Sequence, residues 1–292
     1  MNMLVLGATG RVGRLVLAEL LAAGQTVRAM VRDPARAATA LGKAPDPKLA
    51  FVAGDFGDAA SLARACEGME RVFLVSPVSE HLAAHQAAVV EAARRSGVTR
   101  LVKLSGSAWT MLEGSMTETG AQHRAVERAL QDSGVGHAVI RPNAFMHGAL
   151  DAPVLALRSG DELAIARGTA RAGYIHVADI AACCAQALLA PAASNALHEI
   201  TGPAPLSGED IAAAASALLG RTIRYRAVPL AAAVERLRAQ GMAGYMLRHA
   251  EENSMRVARG DAAMVTAEVQ HLLGRPARGI GAFIAETLGL AP

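Results

Sequence analysis

Three places in the 292-residue chain hold side chains and glycines suited to binding or reaction. The first is Gly7-Ala8-Thr9-Gly10-Arg11-Val12-Gly13, set between an apolar run at residues 2–6 and an amphipathic stretch ending near Gly24. Glycines at this spacing between strand and helix permit a tight turn, close approach of backbone to a pyrophosphate and close helix-on-strand packing, while the helix N-terminus offers N–H groups to the anion. Gly7, Thr9, Gly10, Arg11, Val12 and Gly13 therefore read as a dinucleotide-binding loop. The second place is Arg32, at the end of the next strand, where a site for an unmodified ribose usually puts Asp or Glu against the 2′-OH. Arg32, helped by Arg11, would instead pair with a 2′-phosphate, which favours NADP(H). The other reading leaves Arg32 in solvent and gives the ribose to Asp33. Asp55, in Gly54-Asp55-Phe56, stands where it could contact the adenine.

The third place holds Lys103 and His123. The chain has only three lysines, Lys43, Lys48 and Lys103, and Lys103 alone falls in a core strand, near the edge where ligands of such sheets bind. It could contact cofactor ribose or supply a proton, or it could snorkel at the sheet edge. Ser105 and Ser107 follow it and could orient substrate or nicotinamide, or cap the turn. His81 and His85 stand at metal-ligand spacing, but HLAAH lacks the glutamate of HExxH and a third ligand is not evident, so no metal is expected. No serine lies in a GxSxG elbow, so acyl-enzyme hydrolysis has no support.

These residues need a scaffold. Strand-length apolar runs at residues 2–6, 26–31, 49–53, 71–75, 100–104 and 136–141 alternate with helical stretches, the pattern of repeated βαβ units. The fold expected is α/β, a Rossmann-like doubly wound parallel sheet with a smaller, mostly helical C-terminal lobe. Asp58 and Thr117 can cap helices reaching Glu67 and Asp132, and Gly68, Gly97 and Gly134 can end helices. Residues 34–48 read as a mobile surface loop, and the passage after Pro142 as loop-rich. A strand and helix follow over Arg171–Leu189, then strands at His198–Thr201 and Thr222–Val228, a helix capped by Ser207, and three or four helices over 229–289. The division expected is a cofactor domain over 1–190, with 143–170 contributing to a substrate pocket, and a substrate-side lobe over 191–292 closing over the nicotinamide.

Composition excludes several classes. Apolar residues at 52% against 19% charged rule out a disordered or solvating chain. A net charge of +3 with 3% aromatics offers neither a phosphate-tracking surface nor a base-stacking platform, so nucleic acid is not an expected partner. Cys66, Cys183 and Cys184 suggest no disulfide framework, and the N-terminus shows no export signal, so a reducing cytoplasm is expected. The apolar stretch around Ile180–Ala190 carries Asp179 and Gln186 near it and meets Pro191, too short for a membrane span.

GATGRVG at residue 7, Arg32, GDFGD at 54, VFLVSP at 72, VKLSG at 102, HRAVERALQDSG at 123, IRPNAFM at 140, YIHVADIA at 174 and LLGRPARGIGAFIAE near the C-terminus together resemble the NmrA-like family of atypical short-chain dehydrogenases/reductases. The likeness implies NADPH-dependent reduction of quinones, azo or triphenylmethane dyes or iminium compounds, or else a non-enzymatic NADP(H)-sensing regulator. It adds Phe56, Val75, Ser76, Pro77, Ser105, Pro142 and Asn143 to the expected cofactor set. It also carries over His123, one helical turn before Glu127, as a hydrogen-bond partner of the ribose, a proton donor, or a structural residue. The Tyr and Lys that ordinary members of the superfamily place four residues apart are replaced by Thr119 and His123. Tyr174, Tyr225 and Tyr245 are followed at that distance by Ala178, Pro229 and His249. A reductase of a small conjugated electrophile needs no strong protein acid, so that acceptor class is expected, with a dehydrogenase or isomerase using Lys103 or His123 as a further alternative. Trp109, Met111, Phe145, Met146, Tyr245 and Met246 are the expected substrate lining, or ordinary core. A homodimer is compatible with all of this.

Overall fold

The computed structural model describes residues 1–41, 46–192 and 195–290. Strands β1 (Asn2–Val5), β2 (Thr26–Val31), β3 (Leu49–Ala53), β4 (Arg71–Leu74), β5 (Arg100–Leu104) and β6 (Gly136–Pro142) fall where the apolar runs place them. Helices α1 (Arg11–Ala22), α2 (Pro34–Ala40), α3 (Ala59–Cys66), α4 (Leu82–Arg95) and α5 (Glu118–Asp132) connect them. The chain continues through α6 (Met146–Ala149), α7 (Asp151–Leu155), β7 (Glu162–Ile165), α8 (Val177–Leu189), β8 (Ala196–Ile200), α9 (Gly208–Leu219) and β9 (Arg224–Ala227). Four tail helices, α10 (Leu230–Ala239), α11 (Gly244–Ala258), α12 (Glu268–Leu273) and α13 (Ile280–Leu288), complete it.

The strand order among the described residues is β3-β2-β1-β4-β5-β6-β8, and the pairings from β3 through β6 are parallel. This is the Rossmann-like arrangement, with the direction of winding reversing between β1 and β4, where ligands of such sheets bind. Both faces of a parallel sheet are covered, so its central strands are mostly apolar. In β5 every residue is buried, and two of the five are charged: Arg100 and Lys103. Arg100 is satisfied by carbonyls at the end of α8, its Nε donating to Ala187 O at 2.6 Å and an Nη to Pro191 O at 3.0 Å. Arg71 donates to Leu188 O and Ala190 O at the same helix end, where cations suit the terminal carbonyls.

Two compact units interleave along the chain rather than meeting at one cut near residue 190. The first comprises residues 1–106, 119–141 and 180–198; the second comprises 107–118, 142–179 and 199–292. The first is centred on Leu4, Leu6, Val72, Leu74, Val89, Leu101 and Val139, the second on Met146, Leu157, Leu163, Tyr174, Ile211 and Phe283.

Several expectations are corrected. Pro34–Ala40 is a helix, because Asp33 accepts from Arg36 N at 3.0 Å and proline suits its first position; residues 42–45 lie outside the described residues. The passage after Pro142 holds α6, α7 and β7, and β7 pairs in parallel with β9 in a second, two-stranded sheet. Its four-residue run, ELAI, is too short to announce a strand by periodicity. The strand expected before α8 is reduced to single bridges, Ala172↔Leu206 and Phe145↔Ile175. Gly173 there packs so closely that a Cβ would stand 2.2 Å from Met264 O, so the segment is walled by backbone instead of continuing a ladder. The Ser207 cap holds, as a reciprocal box with Asp210, and Gly68, Gly97 and Gly134 take positive φ as helix-ending residues should.

Candidate active site

The loop after β1 turns at Gly7, whose φ of 66° suits glycine, and a Cβ there would lie 2.8 Å from Val75 O. Gly13, in the first turn of α1, is more constrained: its Cβ would stand 2.1 Å from Gly7 O. The sequence therefore brings helix, turn and the β4 end into contact at backbone distance. Gly10 is the N-cap of α1, with no capping side chain and no acidic residue in the first turn, and Thr9, Gly10 and Arg11 are exposed while Val12 is buried. A cradle that any Cβ would fill, opening onto a helix N-terminus without its own anion, fits a dinucleotide pyrophosphate.

Beyond β2 and β3, Arg32, Ala53, Gly54, Asp55, Asp58, Ser61 and Arg64 line a recess of about 370 Å³. Two guanidiniums therefore share it, and Arg64 was missed by sequence reasoning because an exposed helical arginine carries no signal of its own. Asp33 serves as the α2 cap, Asp58 as the α3 cap, and Asp55 Oδ1 accepts from Gly57 N at 2.8 Å. Phe56 stacks on His85, and His85 lies against His81. Ser76 Oγ accepts from the buried Gln86 at 2.9 Å, and Pro77 is exposed.

At the ends of β5 and β6 the structure assembles a buried chain of polar groups. Lys103 Nζ lies 2.9 Å from His123 Nδ1 and 3.2 Å from Ser105 Oγ. Ser105 Oγ donates to Glu127 Oε1 at 2.6 Å, and Arg141 grips both oxygens of Glu127, at 3.0 and 2.5 Å. Helix α5 sets His123 and Glu127 one turn apart on its inner face, while β5 supplies Lys103, the residue just after that strand is Ser105, and β6 supplies Arg141. Lys103 has no exposed surface, so a snorkelling role is corrected: the ammonium is enclosed. Burial pushes its pKa down to about 7, with the Glu127 carboxylate opposing that shift and Arg141 adding to it. Burial also raises Glu127, but the hydrogen bonds from Arg141 and Ser105 outweigh it and hold the carboxyl below its ordinary value. Glu127 was visible only as a helix landmark, and Arg141 not at all, since their pairing depends on strand β6 lying beside α5.

In the second unit, Asn143 is 2% exposed and spends its side chain on Trp109 Nε1 at 2.6 Å, Ala262 O at 2.9 Å and Met264 O at 3.1 Å. Pro142 O accepts from Ser107 Oγ. Trp109, Met111 and Met146 are core residues, as is nearly all of Tyr245, whereas Phe145 is half-buried and Met246 is exposed. The expected lining is thus divided between core and surface.

His81 and His85 join no carboxylate cluster of ligand geometry; among the described residues that geometry occurs at His147, His176 and Glu286. His176 Nδ1 accepts from Ala178 N at 3.2 Å and His147 Nδ1 from Val177 N at 3.4 Å. Backbone N–H groups cannot reverse, so in the neutral rings the protons sit on Nε2, where His176 lies 3.1 Å and His147 3.9 Å from Glu286. The rings present N–H groups to a carboxylate, the opposite of a metal-ligating pair. Asp179, fully buried, accepts from Arg275 at 2.8 Å and from Arg278 N at 2.6 Å. The YIHVADIA segment thereby anchors the C-terminal segment through Asp179 and His176.

No helix among the described residues is long and apolar enough to cross a membrane. A family model described as NAD(P)H-binding matches residues 7–191. The chain is 31% identical over 280 residues to an NAD(P)H azoreductase of Xenophilus azovorans, covering 96% of each. It is 35% identical over 292 residues to a (4-alkanoyl-5-oxo-2,5-dihydrofuran-3-yl)methyl phosphate reductase of Streptomyces griseus, covering 97% of this chain and 96% of the other. Among solved structures it resembles the Citrobacter sp. triphenylmethane reductase, at TM-score 0.86 and 20% identity over 99% of this chain and all of the other. It also resembles the NADPH complex of an Escherichia coli quinone oxidoreductase, at TM-score 0.84 and 22% identity over 98% and 99%.

Proposed function

The chain belongs to the NAD(P)H-binding, NmrA-like family of atypical short-chain dehydrogenases/reductases, an NAD(P)H-dependent oxidoreductase by that kinship, and we propose that it uses NADPH to reduce a small conjugated electrophile of the quinone, azo, dye or iminium kind. When bound, the nicotinamide supplies the hydride. The loop Gly7–Gly13 and the N-terminus of α1 would hold the pyrophosphate, and Arg32, with Arg64 beside it in the same recess, the 2′-phosphate. The named acceptors of the relatives, an azo compound, a dye, a quinone and an oxo-dihydrofuran, suit hydride transfer to an atom that is already electron-poor, where positioning does most of the work.

The observation that carries the catalytic part is the 2.9 Å link between Lys103 Nζ and His123 Nδ1. As an ammonium, Lys103 donates to Nδ1 and fixes the His123 proton on Nε2. Lys103 itself is fully enclosed, whereas His123 and Ser105 retain a little surface, so Lys103 is a positioning residue that acts through them. Reduction leaves a lone pair on the acceptor; Nε2 gives it a proton, Nδ1 takes one from Lys103, and the neutral amine is reprotonated by the reverse route after product leaves. With burial pushing its pKa down to about 7, Lys103 can both give up and regain that proton near neutral pH. The reading is tested by following NADPH oxidation over quinone, azo, triphenylmethane and iminium panels. Turnover of at least one class is expected; tight NADPH binding with no turnover on any would replace this reading with that of a nucleotide-sensing regulator.

A further inference from the structure

Arg167, half-buried, stands out among the cations of the second unit. Its Nε and one Nη are enclosed and have no hydrogen-bond partner, and among the described residues no carboxylate forms an ion pair with it. The guanidinium lies over the Tyr174 ring, 4.6 Å from its centre, and the Tyr174 hydroxyl is buried and without a partner as well. The groups acting on its charge are two phenols, Tyr174 and Tyr225. Arg100 and Arg141 show another treatment of a guanidinium in this chain: carbonyls receive Arg100 and Glu127 receives Arg141. Arginine cannot shed its proton, so an enclosed guanidinium with idle donors raises the energy of the fold until an acceptor arrives. The ring face offsets part of that cost, but it leaves the in-plane N–H groups unused.

The surroundings are built rather than loose. Arg167 N donates to Ile165 O at 3.2 Å, Ala170 N donates to Arg167 O at 3.1 Å, and Tyr225 Oη donates to Gly168 O at 2.7 Å, fixing the turn that follows β7. Tyr174 precedes Ile175, which bridges Phe145 in the segment expected to meet substrate. We propose that Arg167 and the Tyr174 hydroxyl form a seat for an anionic group, a phosphate or a carboxylate, carried by a small-molecule ligand of this protein. The seat deepens the reductase reading above and rests on it for the ligand being a substrate.

The test is titration calorimetry of inorganic phosphate, and separately of acetate, into the whole protein held at saturating NADPH so that the Arg32 recess is filled. The parent is expected to bind at least one anion, and the anion bound identifies the class. Arg167→Met should weaken that binding by about tenfold or more, the worth of a charge-assisted hydrogen bond, and Arg167→Lys by less. Thermal midpoints give a second readout: the anion should raise the midpoint of the parent and not that of Arg167→Met. Should the methionine variant fail to fold, Arg167→Lys decides by the same titration. Equal anion binding by parent and variant, or none by the parent, overturns the proposal, as does a midpoint that falls in Arg167→Met while the anion moves neither protein, which would assign Arg167 to packing on Tyr174. Loss of anion binding in the variant of a protein that turns over no acceptor would leave the seat standing and overturn the reductase reading alone.

Discussion

The enclosure of Lys103 makes the stability of this protein depend on pH in a direction that can be worked out in advance. The folded chain holds the ammonium at a pKa of about 7 against an ordinary value of 10.5, chiefly because burial removes its hydration. Between those two values the unfolded chain binds a proton that the folded chain has released, so stability rises with pH through that window and is flat below it. The full difference corresponds to about 5 kcal/mol, and the part falling between pH 7 and 9.5 to about 3 kcal/mol. With a urea slope of about 3 kcal/mol/M, that is a midpoint rise of about 1 M. Replacing Lys103 with Met removes the titrating group, leaves His123 Nδ1 and Ser105 Oγ short of a partner at a constant cost of about 1–3 kcal/mol, and abolishes the slope. The assay is the urea midpoint of parent and Lys103→Met at half-unit steps from pH 6 to 9.5, and the quantity of interest is the difference between the two profiles. Parallel profiles across that range would show that Lys103 does not change protonation on folding and would refute the argument.

Three other outcomes are expected. The parent should bind NADPH at least about tenfold more tightly than NADH, and Arg32→Glu should erase or reverse that preference, as read by fluorescence titration of both nucleotides. Gly13→Ala should abolish nucleotide binding at concentrations that saturate the parent and lower the thermal midpoint, since its Cβ would stand 2.1 Å from Gly7 O and the helix would have to move away from the turn. Asp179→Asn removes the charge that holds Arg275 and Arg278, and its unfolding free energy should fall by about 3–5 kcal/mol, measured by urea denaturation at pH 7.

The first two thirds of the sheet were legible because a parallel strand buried on both faces is an apolar run with few ways to be misread, and β1 to β6 fall within a residue or so of those runs. The glycine loop was legible for a related reason: Gly13 answers to the backbone of Gly7, six residues earlier in the same turn, whereas the approach of Gly7 to Val75 O joins residues far apart in sequence. What lay between Pro142 and α8 was not, because β7 is stabilised by β9, some sixty residues later, and carries no periodicity of its own. Candidate site residues divide along the same line. Lys103 and His123 were visible as unusual types in their elements, but their contact, and the completion of the chain by Ser105, Glu127 and Arg141, depends on three elements being set side by side. Arg167, in the stretch ARGTARAG, carries no signal in its sequence, and only the burial of its Nε and one Nη distinguishes it.

The replacement of Tyr and Lys by Thr119 and His123 changes where the cation comes from more than whether there is one. In the ordinary arrangement one helix carries both groups, and the ammonium lowers the pKa of a phenol that meets the substrate. In this chain Thr119 is buried in α5 and His123 keeps only a narrow exposed edge, while the ammonium reaches the helix from the sheet, across from β5. An ammonium pointing out of a parallel strand must be enclosed, and enclosure without partners would leave it neutral at every working pH. Glu127 prevents this: held ionised by Arg141 and Ser105, it opposes the desolvation of Lys103 and keeps the group at the boundary between charged and neutral. Arg141 has opposite effects on the two, stabilising the Glu127 charge directly and repelling the ammonium. The five residues therefore form one electrostatic unit. A change at Arg141 would be felt at His123 through Glu127, Ser105 and Lys103 in turn.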